Sequence, residues 1–176
     1  MGMCSIAKDA GSIPPIKPID KKKDLVVRGK PATGQVTPKS PEWKVVGLVP
    51  NLAYMSDREY AIKKYPKEMD GGHVVIRDSQ QVKNWVQGAQ LTLAKAATLY
   101  AAMLVKIDGE DQVSEKQLEA MAADGWEFLK EPFETTTPDK SWTWRVAKKK
   151  FEKGPFNPAL PKEFLFYATH AIYLVK

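Results

Sequence analysis

Three groups of side chains in this sequence have types and spacing that could do chemistry. The first is His73 with Glu68 and Asp70, inside YPKEMDGGHVVIRDSQQ at 65–81. An imidazole beside two carboxylates could relay a proton or begin a metal site. The plainer reading is a set of solvated turn residues. The second group is Asp108, Glu110 and Asp111 in DGEDQVSE. It has the composition of half a calcium loop but lacks the ligands at alternate positions and the closing bidentate Glu. It reads better as an acidic loop that favours the start of the next helix. The third group is Trp142, Trp144 and Arg145 with the run Lys148, Lys149 and Lys150. Aromatics interleaved with cations can stack bases and hold phosphates. Tryptophans two apart on a strand also serve as core anchors.

Other chemistry finds little material. Cys4 is the single cysteine, and His73 and His170 are the two histidines. No intramolecular disulfide and no thiolate zinc site can be built from them. His170 falls in an apolar run and reads as a core or interface histidine. Walker, G-x-G-x-x-G, H-E-x-x-H and G-x-S-x-G patterns are missing from the sequence. The expectation is a protein that is not an enzyme, with no catalytic residue, metal or cofactor assigned.

The elements that would position these groups follow from periodicity. WKVVGLV (43–49) and HVVIR (73–77) read as strands rich in β-branched residues. SDREYAIKKY (56–65) reads as a short helix capped by Ser56 and stopped by Pro66. Asp78 or Ser79 would cap a long helix over about 79–105. Its apolar positions run through Val82, Trp85, Val86, Ala89, Leu93, Ala96, Ala97, Tyr100, Met103 and Leu104 at helical spacing. Ser114 and Gln117 have capping-box spacing for a second helix that ends at Gly125. WEFLKE (126–131) and SWTWRVAKKK (141–150) read as strands joined by the loop TTTPDK. GPFNPALP (154–161) reads as a linker, with Pro161 opening a final helix over Phe164–Val175. The fold expected is α+β: a small sheet packed against a long central helix and a shorter second helix, with an extended N-terminal arm.

Charge divides the chain. Of the net +6, five units fall in residues 1–44, where nine basic side chains face four acidic ones. Six of the thirteen prolines lie there too. Proline fixes φ and removes donors, and clustered lysines repel, so such a segment builds no core by itself. The expected organisation is a basic Pro-rich arm at 1–42 and a domain at 43–176. Fully extended, the arm would reach about 140 Å. Lys21, Lys22, Lys23, Arg28 and Lys30 in the arm, with Trp142 and Trp144 in the body, are the candidate partner-binding residues. The opening MGMCSIAKDAG does not read as a secretory signal. The run FLFYATHAIYLV falls well short of the roughly 20 residues of a membrane span. No membrane partner is expected.

Two stretches carry a resemblance. Tyr65-Pro66-Lys67, a Gly71-Gly72 turn, Val74-Val75-Ile76 and an aspartate-led helix resemble an element of small structural proteins of tailed bacteriophages. Gly125-Trp126-Glu127, following Leu118, resembles a small α+β domain family of unknown function. The first resemblance implies a virion component, such as a capsid decoration, neck or tail accessory protein. Its partners would be other subunits of a large assembly, held by the arm. The alternative is a cytoplasmic nucleic-acid- or ribosome-associated protein with its basic arm along phosphates.

Overall fold

The computed structural model describes residues 26–32, 34–39, 43–77, 91–111, 115–156 and 172–176. Thirteen strands and one helix appear among them, in the order β1 (Val36–Pro38), β2 (Lys44–Gly47), β3 (Leu52–Ala53), β4 (Ala61–Lys64), β5 (His73–Ile76), β6 (Leu91–Leu93), β7 (Ala97–Ile107), β8 (Glu110–Asp111), α1 (Glu115–Ala123), β9 (Glu127–Phe128), β10 (Phe133–Thr136), β11 (Ser141–Phe151), β12 (Gly154–Phe156) and β13 (Ile172–Val175). Ten strands form one curled sheet in the order β2-β5-β13-β7-β11-β10-β4-β3, with β8 on β7 and β9 on β11. A three-stranded sheet, β1-β6-β12, stands apart from it. The strand pairs within both sheets are antiparallel.

The expected helix-centred α+β fold is therefore corrected to a mostly antiparallel β architecture. The long helix expected over 79–105 is the main error. Residues 78–90 lie outside the described residues, but Leu91–Leu93 and Ala97–Ile107 are strands. The cause is burial on both faces. Along β7, Leu99, Ala101 and Met103 enter one core, while Tyr100, Ala102 and Leu104 enter another. A strand covered on both sides loses its polar alternation, and its apolar run is then ambiguous between strand and helix. The short helix expected at 56–65 is likewise replaced. Ala61–Lys64 pairs with β10 and with β3, and it buries Ala61 and Ile62. Of the final helix, Ile172–Val175 is instead a fully buried strand between β5 and β7, and 157–171 lies outside the described residues.

Other expectations hold. β2 and β5 fall in the stretches rich in β-branched residues, and β11 falls where strand alternation put it. α1 ends as expected, with Gly125 at φ 92°. Gly125 N–H donates to Ala122 O at 3.1 Å, and Trp126 N–H donates to Met121 O at 3.1 Å. These two bonds satisfy the last carbonyls of the helix as a Schellman motif does. The strand expected at 126–131 shortens to Glu127–Phe128.

The curled sheet has two covered faces. Its concave side gathers Leu52, Tyr54, Ile62, Met69, Val74, Phe133, Trp144, Val146 and Leu174. On its other side, β1, β6 and α1 contribute Val36, Leu91, Leu93 and Met121 against Val45, Val75, Tyr173 and Val175.

Residues 27–32, part of the segment read as an arm, join the two end strands of this sheet. At the β3 end, Val27 N–H donates to Asn51 O at 2.8 Å and Val27 O accepts from Ala53 N–H at 2.9 Å. At the β2 end, Ala32 N–H donates to Val45 O at 2.8 Å. Between them Gly29 lies against Leu52 and Val46, where a Cβ would come within 2.9 Å of both side chains. Val36, further along, is buried.

Candidate binding surface

The inner face of β7 and β11 runs from a charged end to an aromatic end. Register places Tyr100 opposite Lys148, Ala102 opposite Val146, Leu104 opposite Trp144 and Ile107 opposite Trp142. The step between Thr143 and Trp144 skips Val105, a β-bulge that increases local twist. The turn after β7 is made by Asp108 (φ 48°) and Gly109 (φ 86°), an Asp-Gly pair with the two positive φ angles of a type I′ hairpin. Asp108 Oδ1 accepts from Ser141 N–H at 3.0 Å, which fixes the start of β11 beside that turn.

At the aromatic end, Thr135 is the organiser. Its fully buried Oγ1 accepts from Trp144 Nε1 at 2.9 Å and lies 3.4 Å from the Tyr54 hydroxyl. Burial drives the Tyr54 phenol well above the usual tyrosine range, so it stays neutral. Tyr54 stands edge-on to Trp144 at 5.8 Å, and Phe133 stands edge-on to Trp144 at 6.3 Å. Over this buried base sit Tyr60 and Trp142, both half-buried, with ring centroids 5.5 Å apart. Tyr60 is also 6.2 Å from Tyr54, and Trp142 is 6.1 Å from Trp144. Beside Tyr60 in sequence, Arg58 Nη1 meets Asp57 Oδ2 at 3.2 Å.

At the charged end, Glu68 is gripped from three sides. Lys148 Nζ donates to its Oε2 at 2.8 Å, Tyr100 OH donates to the same oxygen at 3.1 Å, and Lys176 Nζ donates to its backbone O at 2.7 Å. The Lys148 hydrogen bond holds the Glu68 carboxyl below the usual glutamate range and raises Lys148 in return. Burial, then Glu68, raises Tyr100.

These contacts engage several members of the first two groups of candidate chemistry. Glu68 turns to Lys148 and Tyr100. His73 Nδ1 is sealed from solvent and has no hydrogen-bond partner among the described residues. Asp108 anchors Ser141, and Asp111 faces Lys106 at 3.4 Å. Among the described residues no group of three His, Cys, Asp or Glu side chains could hold a metal ion.

The expected partner-binding residues separate. Trp144 is fully buried, so its ring belongs to the core and cannot stack on a partner. Trp142 is half-buried, with its indole Nε1 sealed from solvent. Arg28, though exposed, donates to Met55 O at 2.8 Å and Arg58 O at 3.4 Å, which ties the bridging segment to the loop carrying Tyr60. Lys30 is exposed. Lys21, Lys22 and Lys23 lie outside the described residues. Tyr54, Tyr60 and Thr135 had no signal in the sequence, because the strands that bring them to Trp142 and Trp144 are far apart along the chain.

No family model matches this chain, and no curated protein matches it. Among solved structures it is similar to a β-glucuronidase from glycoside hydrolase family 2, with a TM-score of 0.52 and 13% identity over 83% of this chain. The chain spans 15% of that protein's length. It also matches a GH138 enzyme targeting pectin rhamnogalacturonan II, with a TM-score of 0.49, 16% identity and 89% of this chain covered, or 18% of that one. At these identities the first likeness shows a shared β fold, and the second carries no argument.

Proposed function

We propose that this chain is a non-catalytic β-sandwich module that binds saccharide within a larger carbohydrate-processing protein. The observation that carries this reading is the half-buried pair Tyr60 and Trp142, 5.5 Å apart, on a fixed base of Tyr54, Phe133 and Trp144. A sugar ring has an apolar C–H face and a polar rim. Accessible aromatic surface takes the face by area burial and dispersion, and Arg58 with Asp57 offers donors and acceptors for hydroxyl groups. Rings already held in place lose little entropy on binding. Sharing a fold with part of a β-glucuronidase supports the setting. The non-catalytic part is supported by how the carboxylates are used. A typical glycosidase aims two carboxyl groups at one bond. Here Glu68 and Asp108 sit at opposite ends of the β7–β11 pair, each committed to a structural contact.

Affinity electrophoresis through gels cast with neutral polysaccharides tests the reading. Wild type should be retarded by at least one of them. Trp142→Ala and Tyr60→Ala should run freely, with reducing-end release at the buffer level throughout. Equal retardation of wild type and both variants would remove these rings from any saccharide role.

The virion role implied by residues 65–81 remains a separate proposal, supported by that resemblance and by the composition of 1–42. In the fold, that stretch holds a 3-10 turn (Lys67–Met69) leading into β5. The nucleic-acid alternative predicts binding that falls steeply with salt. A salt-insensitive mobility shift would count against it.

A further inference from the structure

The face of β11 opposite Trp142 carries a cation that has no acceptor among the described residues. Along this strand, Lys148 is paired with Glu68 and Lys149 with Asp124, through an ion pair at 3.7 Å and a hydrogen bond to its backbone O at 2.8 Å. Arg145 makes neither an ion pair nor a side-chain hydrogen bond with any described residue, and its Nε is sealed from solvent. Its guanidinium instead lies over Phe128, with Cζ 5.2 Å from the ring centroid. Both side chains are half-buried. Close by in sequence, just before β9, Trp126 is 4% exposed, and its indole Nε1 has no hydrogen-bond partner among the described residues.

Unpaired buried donors are costly, and more so when charged, so each calls for an acceptor. The arginine fork matches a carboxylate through two parallel hydrogen bonds, a geometry lysine cannot supply. Phe128 holds the guanidinium by a cation–π contact. Phe128 itself is half-buried, so the aromatic side chain and the fork lie side by side near the surface. A ligand that uses both features presents a carboxylate rigidly beside an apolar C–H face, as a sugar acid does. A carboxylate on a flexible peptide side chain would have to lose more rotamer freedom to do the same.

We propose that Arg145, seated on Phe128, is a carboxylate-binding position for a uronic-acid saccharide, distinct from the Tyr60–Trp142 surface on the other face of the sheet. This rests on the saccharide-binding reading and adds the charge of the ligand.

Calorimetric titration of the full chain with polygalacturonate, its fully methyl-esterified form, polyglutamate and inorganic phosphate tests the assignment. Polygalacturonate should bind wild type at least about tenfold more tightly than the ester, the scale of one lost charge-assisted hydrogen bond. Arg145→Gln should remove that preference, and Arg145→Lys should restore only part of it. Phe128→Leu should weaken binding while keeping the acid-over-ester order. The thermal midpoint of Arg145→Gln should fall by no more than about 2–4 °C, since only the contact with Phe128 is lost and no internal acceptor is orphaned. Equal binding of the acid and ester forms, or an unchanged preference in Arg145→Gln, would overturn the assignment while leaving neutral-saccharide binding at Trp142 standing. Tighter binding of polyglutamate or phosphate than of polygalacturonate would overturn the sugar acid as ligand. Failure of every saccharide, neutral or acidic, would remove this proposal and the reading beneath it together.

Discussion

Replacing Gly29 by valine tests whether residues 27–32 belong to the folded body. A Cβ at this position would stand 2.9 Å from Leu52 Cδ1 and 2.9 Å from Val46 Cβ. Leu52 is fully buried and Val46 nearly so, and they sit on the two end strands of the curled sheet. Neither can retreat without disturbing the concave core. Overpacking of this kind costs about 1–3 kcal/mol, and valine's two further methyls put it towards the upper end. For a chain of this size each kcal/mol lowers the melting temperature by roughly 2–4 °C, so a fall of about 5–10 °C is expected. Thermal unfolding followed by near-UV circular dichroism measures it. Gly47→Ala, where an added Cβ meets nothing within 4 Å, is the control and should melt like wild type. Deleting residues 1–42 should be more damaging still, because it removes both the bridging segment and buried Val36. If Gly29→Val melts with the control, the segment is not seated between β2 and β3 and the packing argument fails.

Thr135→Val should destabilise by about 1–3 kcal/mol, because it strands the Trp144 indole N–H and the Tyr54 hydroxyl in the core, while Thr135→Ser should recover most of that; urea denaturation compares them. Glu68 titrates below its ordinary range, so its contribution is present above the unfolded glutamate pKa and is lost as pH falls through the lower folded value. Glu68→Gln should therefore flatten the acid side of a melting-temperature profile, and an identical acid limb in both proteins would contradict the network. Lys148, raised by the same contact, contributes below the unfolded lysine pKa and is lost as pH rises through its folded one, so Lys148→Met should flatten the alkaline side. Ala102→Glu should prevent folding, since this fully buried position on β7 offers a charge no room and no partner; a folded variant by circular dichroism would show that β7 is not covered on both faces.

What could be read in advance depended on how locally each feature was encoded. β11 announced itself because one of its faces is polar enough to preserve alternation. α1 did so through the Gly125 stop. β7 and β13 are apolar on both faces, and their runs mimic helical stripes; only the second core, formed by strands far away in sequence, distinguishes the two. The Asp108-Gly109 pair was a legible hairpin signal, but its acidity was read as the prelude to a helix. Within the binding surface, Trp142 was visible as an aromatic on a strand. Its counterparts were not: Tyr54 reaches Thr135 across 81 residues, and Lys148 reaches Glu68 across 80. Such contacts are set by strand order, which no local window contains. Composition misled in residues 27–32 and at Val36, because a Pro-rich basic stretch can still supply backbone hydrogen bonds and a glycine small enough to cross a core.

The most direct test of the account is the indole N–H spectrum of the five tryptophans during titration with a saccharide oligomer that the gel assay has selected. The Trp142 resonance should shift in proportion to occupancy, while Trp144, fully buried and bonded to Thr135, should stay close to its starting position. A titration that saturates without moving Trp142 would place binding elsewhere and contradict the account.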